Sequence, residues 1–348
     1  MMKKVYSDAI SNINFPLMVG VVAAHSVIFD SGNVVMEEIS RVFLYLLPIS
    51  IVPIFFTISG FLFFTSIKGG FNKDVYCAKV RSRVRTLMVP YLIANTFTIL
   101  CYALMHWLTP SLINPQNFNV LNWNVIDYIQ AYWSIDGFPI CYQLWYIRNL
   151  FVLILLTPIF YVLIRQKVWI QYSALLLIGL MYHVFSISFL LGVFYFYIGA
   201  LLSFNEFAFN KRYLKSKKSY VLGLVIVITF LAIYNHYLGL NVFIWKPIQR
   251  FFVVFLTLYF FVIISEKFGK LKCKLFESSF FMYAYHAFPV LVLRKLWIML
   301  INPNTNFEWI IAYVAIVLSS VFFCCFVYQL IQKLFPKFTS VIVGGRVS

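Results

Sequence analysis

Charged residues are scarce in this sequence, and acidic ones are the scarcest. Only 11% of the 348 residues are Asp, Glu, Lys or Arg, whereas an ordinary soluble domain is about one quarter charged. The chain has 11 acidic and 28 basic residues, and 62% of it is hydrophobic. This composition excludes an ordinary soluble globular protein. It predicts a polytopic membrane protein, with the lipid bilayer as its partner.

Cysteine is also sparse, and its spacing lacks any metal-binding or disulfide pattern. The six cysteines are scattered along the chain and form no CxxC pair. Such pairs are the usual sign of a zinc or redox site. We therefore expect no metal site and no disulfide framework.

Long apolar runs dominate the rest of the sequence. Roughly 20 apolar residues cross about 30 Å of hydrocarbon, so these runs predict an all-α bundle of about ten transmembrane helices. They form one integral-membrane domain over residues 1–348, without a separate soluble domain. The fifth and sixth runs are separated only by a tight turn near Ser186 to Ser188. The first run lacks a small-residue cleavage site, so we expect a retained helix rather than a signal peptide. The predicted spans are about 10–29, 41–67, 86–108, 144–164, 168–187, 187–203, 220–238, 247–265, 278–300 and 309–334.

The basic residues predict the orientation of these spans. If the amino terminus is inside, most of the 28 Lys and Arg residues fall in inner segments, as the positive-inside rule requires. Both termini are then cytoplasmic. The net charge of +17 is explained by topology and the lipid surface, so we expect no nucleic-acid partner.

His25 is an ionisable residue near the end of the first apolar run. Ionisable side chains inside a membrane are expensive to bury and usually functional. Asn14 precedes it by eleven residues, which on a helix is about three turns and roughly 16 Å, so both residues lie on nearly the same face. Two interpretations are open. The pair belongs to a polar site, or Asn14 is interfacial and His25 bonds a neighbouring helix.

Arg148 and His286 are further ionisable residues within predicted spans. Arg148 lies at the outer end of the fourth span, and His286 lies about eight residues into the ninth. A guanidinium in a membrane needs a partner, a wet cavity or an interface to which it can snorkel. Together with His25, these residues favour a hydrated interior.

Four cations occupy the end of a basic loop between Lys68 and Arg85. Arginine binds phosphate through a bidentate fork, so this cluster predicts a site for a polyanion such as a nucleotide phosphate. Positive-inside topology explains the same charges equally well. The four residues are Lys79, Arg81, Arg83 and Arg85.

Six short motifs occur along the chain in a recognisable order. With them the sequence resembles the membrane-bound acyltransferase family 3, from the first predicted span to the ninth. The motifs are Phe15-Pro16-Leu17 through His25-Ser26, Val52 to Phe61, Arg83 to Tyr91, Leu144 to Arg148, Tyr195 to Ala200, and Phe280 to His286.

This resemblance implies an activity. Similar proteins move an acyl group, often acetyl, from cytoplasmic acetyl-CoA to a hydroxyl of a glycan or lipid-linked sugar at the outer face. The implied location is the bacterial cytoplasmic (inner) membrane, with acetyl-CoA as co-substrate and no metal. His25 matches the family's catalytic histidine. Ser59 matches its Ser-Gly-Phe element, and His286 matches its Tyr-x-x-His element.

The sequence departs from the family pattern at Asn14, where the resemblance leads us to expect an arginine. Asparagine keeps hydrogen bonding but removes a fixed cation. Contact with the donor must then be weakened or taken over by the four cations before Pro90, whose register also departs from the expected Arg-x-x-Arg. A changed donor, a changed acceptor and a loss of activity all stay open.

Direct transfer is the expected mechanism. Neutral His25 would accept the proton of the acceptor hydroxyl as its oxygen attacks the thioester, and Arg148 or backbone donors would stabilise the oxyanion. An acyl-histidine relay is the alternative. Two other functions stay open, namely a transporter or flippase of a lipid-linked sugar or small anion, and a catalytically silent membrane partner. The acceptor, the acyl length and a homo-oligomeric state are not fixed by the sequence.

Overall fold

The computed structural model describes residues 4–28, 33–38, 48–108, 120–134, 137–204 and 242–346. Regular structure within these residues is helical throughout, which confirms the all-α class. The α-helices are α1 (Lys4–His25), α2 (Pro48–Thr65), α3 (Lys73–Arg83), α4 (Val89–Leu108), α5 (Val125–Trp133), α6 (Trp145–Leu155), α7 (Thr157–Ile164), α8 (Val168–Phe185), α9 (Ser188–Phe204), α10 (Val242–Phe268), α11 (Ser279–Tyr285), α12 (Ala287–Ile301), α13 (Asn306–Leu334) and α14 (Pro336–Ile342).

The chain divides into two compact units. Unit 1 comprises Met1–Val75 and Leu155–Phe276, and unit 2 comprises Tyr76–Ile154 and Glu277–Ser348. In unit 1, α1 packs on α10 and α2 packs on α9. In unit 2, α13 packs along α12, and the side chains of Phe281, Tyr328, Ile342 and Val343 form a buried cluster that fixes the end of α14.

The described helices fit a multi-pass membrane protein, but the count of about ten spans is not confirmed. By length and composition, four helical segments can cross a membrane, or up to six if two interrupted pairs each count as one span. The predicted span 220–238 and residues 41–47 lie outside the described residues. The four segments are Lys73–Leu108, Val168–Phe185, Arg250–Phe268 and Asn306–Leu334.

Two predicted spans are interrupted rather than continuous. Span 144–164 breaks between α6 and α7, and span 278–300 bends by 85° between α11 and α12. Pro158 and Pro289 follow the two breaks. Proline has no N–H for the carbonyl four residues earlier and clashes with it, so each helix loses its regular hydrogen bonding at these points.

The basic segment before Pro90 is helical, which corrects the prediction of a loop from Lys68 to Arg85. The segment forms α3 and then one turn of π-helix, Val84–Met88. The side chain of Asn72 accepts a hydrogen bond from the backbone N–H of Val75 at 2.9 Å, which satisfies a donor in the first turn. Asp74, in the same turn, adds a favourable charge.

Helices α2 and α9 approach each other through two glycines. A Cβ atom on Gly60 would overlap the backbone carbonyl of Phe196, and a Cβ atom on Gly199 would overlap the backbone carbonyl of Thr57. Small residues allow this backbone approach between membrane helices. The Ser59-Gly60-Phe61 and Tyr195 to Ala200 motifs therefore have a packing role.

We expect Gly199→Ala to destabilise the protein, because the added methyl group meets backbone rather than a flexible side chain. Overpacking of this kind lowers the free energy of unfolding by about 1–3 kcal/mol. Thermal unfolding in detergent measures the effect. Gly69→Ala is the matched control, since nothing lies within 4 Å of its Cβ position. Equal midpoints for the two variants would contradict the packing role.

Candidate functional site

His25 is the last residue of α1, and Asn14 lies on the same helix in unit 1. The continuity of α1 confirms that the two residues share one helix. The His25 side chain is half-buried. The next residue, Ser26, closes the helix because its hydroxyl and its backbone N–H both donate to the carbonyl of Val22, at 2.8 and 2.9 Å. The imidazole therefore projects from a fixed helix end.

Asn12 is the buried polar anchor of α1, although no pattern in the sequence marked it as a site residue. Its Nδ2 donates to the hydroxyl of Ser265 at 2.8 Å and to the carbonyl of Gly269 at 2.9 Å. Its Oδ1 accepts from the backbone N–H of Leu271 at 2.9 Å. Asn14 is half-buried and has no side-chain hydrogen bond within the described part of the chain. Asn12 thus ties α1 to the basic segment that follows α10.

Replacing Asn12 with alanine is expected to lower the free energy of unfolding by about 2–3 kcal/mol, because the three hydrogen bonds of this buried amide are lost together. The segment from Lys267 to Lys274 contains four exposed lysines. Trypsin should therefore cut it faster in the variant, as fragment analysis over a digestion time course would show. Asn14→Ala, on the same helix, should digest like the parent protein, and faster cutting in both variants would argue against the anchor.

Ser59 lies on α2, directly before the close crossing at Gly60, and its side chain is half-buried. Its place in unit 1 is fixed by the backbone contact of Gly60 with Phe196. A role for Ser59 in donor binding stays a prediction.

Arg148 lies in the first turns of α6 in unit 2 and is buried, with 8% of its side chain exposed. Its Nη1 donates to the carbonyls of Ser134 and Gly137, the latter at 3.0 Å. Neither partner is a carboxylate, so the cation is satisfied by backbone dipoles of the segment after α5. The guanidinium fastens that segment to α6, and its expected role as an oxyanion donor stays a prediction.

His286 lies at the bend between α11 and α12 and is completely buried. Its Nδ1 is 3.0 Å from the carbonyl oxygens of both Met282 and Tyr283. Carbonyls only accept hydrogen bonds, so Nδ1 carries a proton and acts as the donor. These contacts hold the imidazole against the last turn of α11, directly before the bend. This geometry favours a positioning role.

A cavity of about 200 Å³ lies beside this bend in unit 2. Ala284 and Tyr285 of the Phe280 to His286 motif line it, but none of its lining residues was predicted as a site residue. Its walls are mostly apolar, with the amide of Gln143 among them. Gln143 Nε2 donates to the carbonyl of Ala284 at 3.0 Å, and the hydroxyl of Tyr283 donates to the carbonyl of Gln143 at 2.6 Å. Gln143 Oε1 is buried without a partner in the described structure.

The four basic residues do not form one cluster. Lys79 and Arg83 are four residues apart and half-buried, whereas Arg81 and Arg85 are exposed. Residues four apart share a helix face, so the segment presents one protected pair and one solvated pair. Of the expected phosphate-binding residues, Lys79 and Arg83 have the more enclosed position.

Within the described residues, no group of three His, Cys, Asp or Glu side chains is placed to hold a metal ion. The expected site residues are distributed over both units. Unit 1 carries Asn14, His25 and Ser59, and unit 2 carries Lys79, Arg81, Arg83, Arg85, Arg148 and His286.

The family comparison covers most of the chain. A family model described as an acyltransferase domain matches residues 16–329. No curated protein and no solved structure gives a match. The matched residues include His25, Arg148 and His286 but begin two residues after Asn14.

Proposed function

Since the chain belongs to the acyltransferase family whose domain spans residues 16–329, we propose that it transfers an acetyl group from cytoplasmic acetyl-CoA to a hydroxyl group. The proposed acceptor is a cell-envelope glycan or a lipid-linked sugar. The family match is the observation that carries this proposal. The apolar helices support a multi-pass membrane location, and we propose the bacterial inner membrane with both termini in the cytoplasm.

His25 is the proposed general base. The acceptor oxygen attacks the thioester carbonyl carbon while His25 takes the hydroxyl proton. The tetrahedral intermediate then collapses, the carbon–sulfur bond breaks, and the proton passes to the departing thiolate of coenzyme A. The products are an acetyl ester and coenzyme A, and His25 returns to its neutral form. No metal is needed for this sequence of steps.

The basic segment is the proposed site for the phosphates of the donor. Asn14 carries no charge, so it cannot supply a cation to the donor. Lys79 and Arg83 share a half-buried face of α3, where a phosphate contact is less screened by solvent than on an open surface. Arg81 and Arg85 add positive potential that attracts the anionic donor.

Transfer of radiolabel tests the proposal. The purified protein is reconstituted in lipid vesicles and incubated with radiolabelled acetyl-CoA and extracted envelope glycans. We expect label in the glycan fraction that alkaline treatment releases, because an ester forms. Label that stays with acetyl-CoA would contradict acetyl transfer. Movement of a labelled lipid-linked sugar across the vesicle membrane without acetylation would instead support a flippase.

A further inference from the structure

The chain folds back on itself after α14. Gly344 and Gly345 both have positive φ angles, +67° and +76°, a conformation that favours glycine. A Cβ atom on Gly344 would overlap the backbone carbonyl of Thr86. The turn therefore presses the chain against the π-helical segment Val84–Met88, and it brings Arg346 to that segment.

Arg346 is held there by two backbone carbonyls. Its Nη1 donates to the carbonyl of Thr86 at 2.9 Å and to the carbonyl of Val343 at 2.8 Å. Pro90 lies four residues after Thr86 and has no N–H to offer that carbonyl. The π-helical turn also changes the backbone hydrogen bonds here, since the N–H of Val89 donates to the carbonyl of Val84, five residues earlier, instead of four. Arg346 thus binds a carbonyl that regular α-helical bonding does not satisfy.

The same contact places two cations together. Arg83 precedes Thr86 by three residues, so the two share a helix face. The guanidinium of Arg346 also lies over the ring of Phe280, 4.1 Å from its centre, in a cation–π contact. Desolvation by this surrounding protein lowers the pKa of Arg346 to about 10, and the positive charge of Arg83 adds to the lowering.

This pair of cations lacks a counter-charge among the described residues. Neither Arg83 nor Arg346 has a carboxylate partner in those ranges. Both hydrogen bonds that Arg346 makes to described residues use Nη1, so no described residue takes the donors on Nη2 and Nε, and the side chain is partly exposed. A phosphate group accepts several charge-assisted hydrogen bonds, so its chemistry fits two neighbouring cations of this kind.

We propose that Arg346 and Arg83 together bind a phosphate group, with Arg346 supplied by the folded-back carboxyl-terminal segment. This inference rests on the proposed function in one respect, because it takes the phosphate to be that of the nucleotide part of coenzyme A. Arg346 lies beyond residue 329, where the family match ends.

Equilibrium binding of unacylated coenzyme A tests the site without requiring transfer. The protein is placed in nanodiscs of uncharged phosphatidylcholine, and binding is measured by calorimetry. We expect Arg346→Gln to weaken coenzyme A binding about tenfold, the loss of one partly exposed charge-assisted contact. Binding of pantetheine, which has no phosphate, should be the same in both proteins. Arg346→Lys should restore part of the affinity, and Gly344→Ala should weaken binding by displacing Arg346.

Lys337→Gln is the matched control, because Lys337 is an exposed cation of α14 in the same segment. Its affinity for coenzyme A should equal that of the parent protein. Equal weakening in both variants, or none in Arg346→Gln, would overturn the proposal. Nanodiscs of phosphatidylglycerol form the second arm. In this lipid, the anionic headgroup can compete with coenzyme A for the site. If Arg346→Gln changes coenzyme A binding in phosphatidylglycerol but not in phosphatidylcholine, Arg346 binds the lipid headgroup and the nucleotide assignment is wrong.

The binding and transfer experiments fail independently. Arg346-dependent binding of coenzyme A in a protein that transfers no acetyl group would support the phosphate site and contradict the acetyltransferase. Acetyl transfer by a protein whose coenzyme A binding does not depend on Arg346 would support the acetyltransferase and contradict the phosphate site.

Discussion

Replacing His25 with alanine is expected to reduce the rate of acetyl transfer by about 10²- to 10⁴-fold, the usual contribution of a positioned general base. Alanine cannot accept the hydroxyl proton, so the acceptor must attack as a much weaker nucleophile. The side chain is half-buried at the end of α1. Its removal should therefore affect the rate far more than the stability.

Single-turnover transfer of radiolabelled acetyl groups measures this effect. His183→Ala is the matched control, because His183 is a half-buried histidine of α8 in the same unit and has no part in the proposed reaction. Transfer by the control should match the parent protein, and both variants should unfold at the same temperature. A His25→Ala protein with undiminished transfer would remove His25 from the mechanism.

The same experiment separates direct transfer from a relay. An acyl-histidine intermediate would leave label on the protein when acceptor is omitted, in an amount that approaches one acetyl group per active site. Direct transfer leaves none. Label retained by the His25→Ala protein would place any such intermediate on another residue.

Replacing Arg148 with alanine is expected to lower the free energy of unfolding by about 2–4 kcal/mol, because two charge-assisted hydrogen bonds are lost together. The carbonyls of Ser134 and Gly137 lose their common donor. The segment after α5 should then detach from α6. Denaturant unfolding in detergent measures the stability, and proteolysis near Gly137 reports the detachment.

A lysine at position 148 should recover only part of this stability, since an ammonium group lacks the planar fork of arginine. Arg81→Ala is the control, because Arg81 is an exposed cation of unit 2 and surface changes stay within about 0.5 kcal/mol. Transfer by folded Arg148→Ala protein would test the predicted oxyanion role. Unchanged stability of Arg148→Ala would contradict a stabilising role for the hydrogen bonds to Ser134 and Gly137.

The sequence predicted the features that depend on composition and local pattern. The apolar runs predicted an all-α membrane protein, and Ser186 forms the expected turn between α8 and α9, with a left-handed φ of 51°. The ordered motifs predicted the family, which the match over residues 16–329 confirms. Each of these depends on neighbours in the chain or on an average over many residues.

Features that depend on the internal order of a run were missed. An apolar run looks continuous by hydropathy even where proline interrupts it, so the breaks before Pro158 and Pro289 were not predicted. Proline alone does not mark a break, because Pro16, Pro53 and Pro247 lie inside continuous helices. The charges of the basic segment predict a loop, although Asn72 as a helix cap and the four-residue spacing of Lys79 and Arg83 are compatible with the helix that forms.

Contacts between distant parts of the chain could not be predicted. Asn12 bonds residues more than 250 positions away, and Arg346 reaches Thr86 from 260 positions away. The sequence around these residues contains no motif or spacing that signals either contact. Helical spacing to His25 and the family resemblance both single out Asn14, and neither depends on which groups a neighbouring helix offers to Asn12.

The glycine crossing of α2 and α9 has a mechanical consequence. Helices that touch through side chains can slide when rotamers change, whereas Gly60 and Gly199 meet carbonyl groups that have no rotamers. This pair is therefore the stiff frame of unit 1. Rearrangement within unit 1 is therefore expected at contacts that side chains make rather than at this crossing.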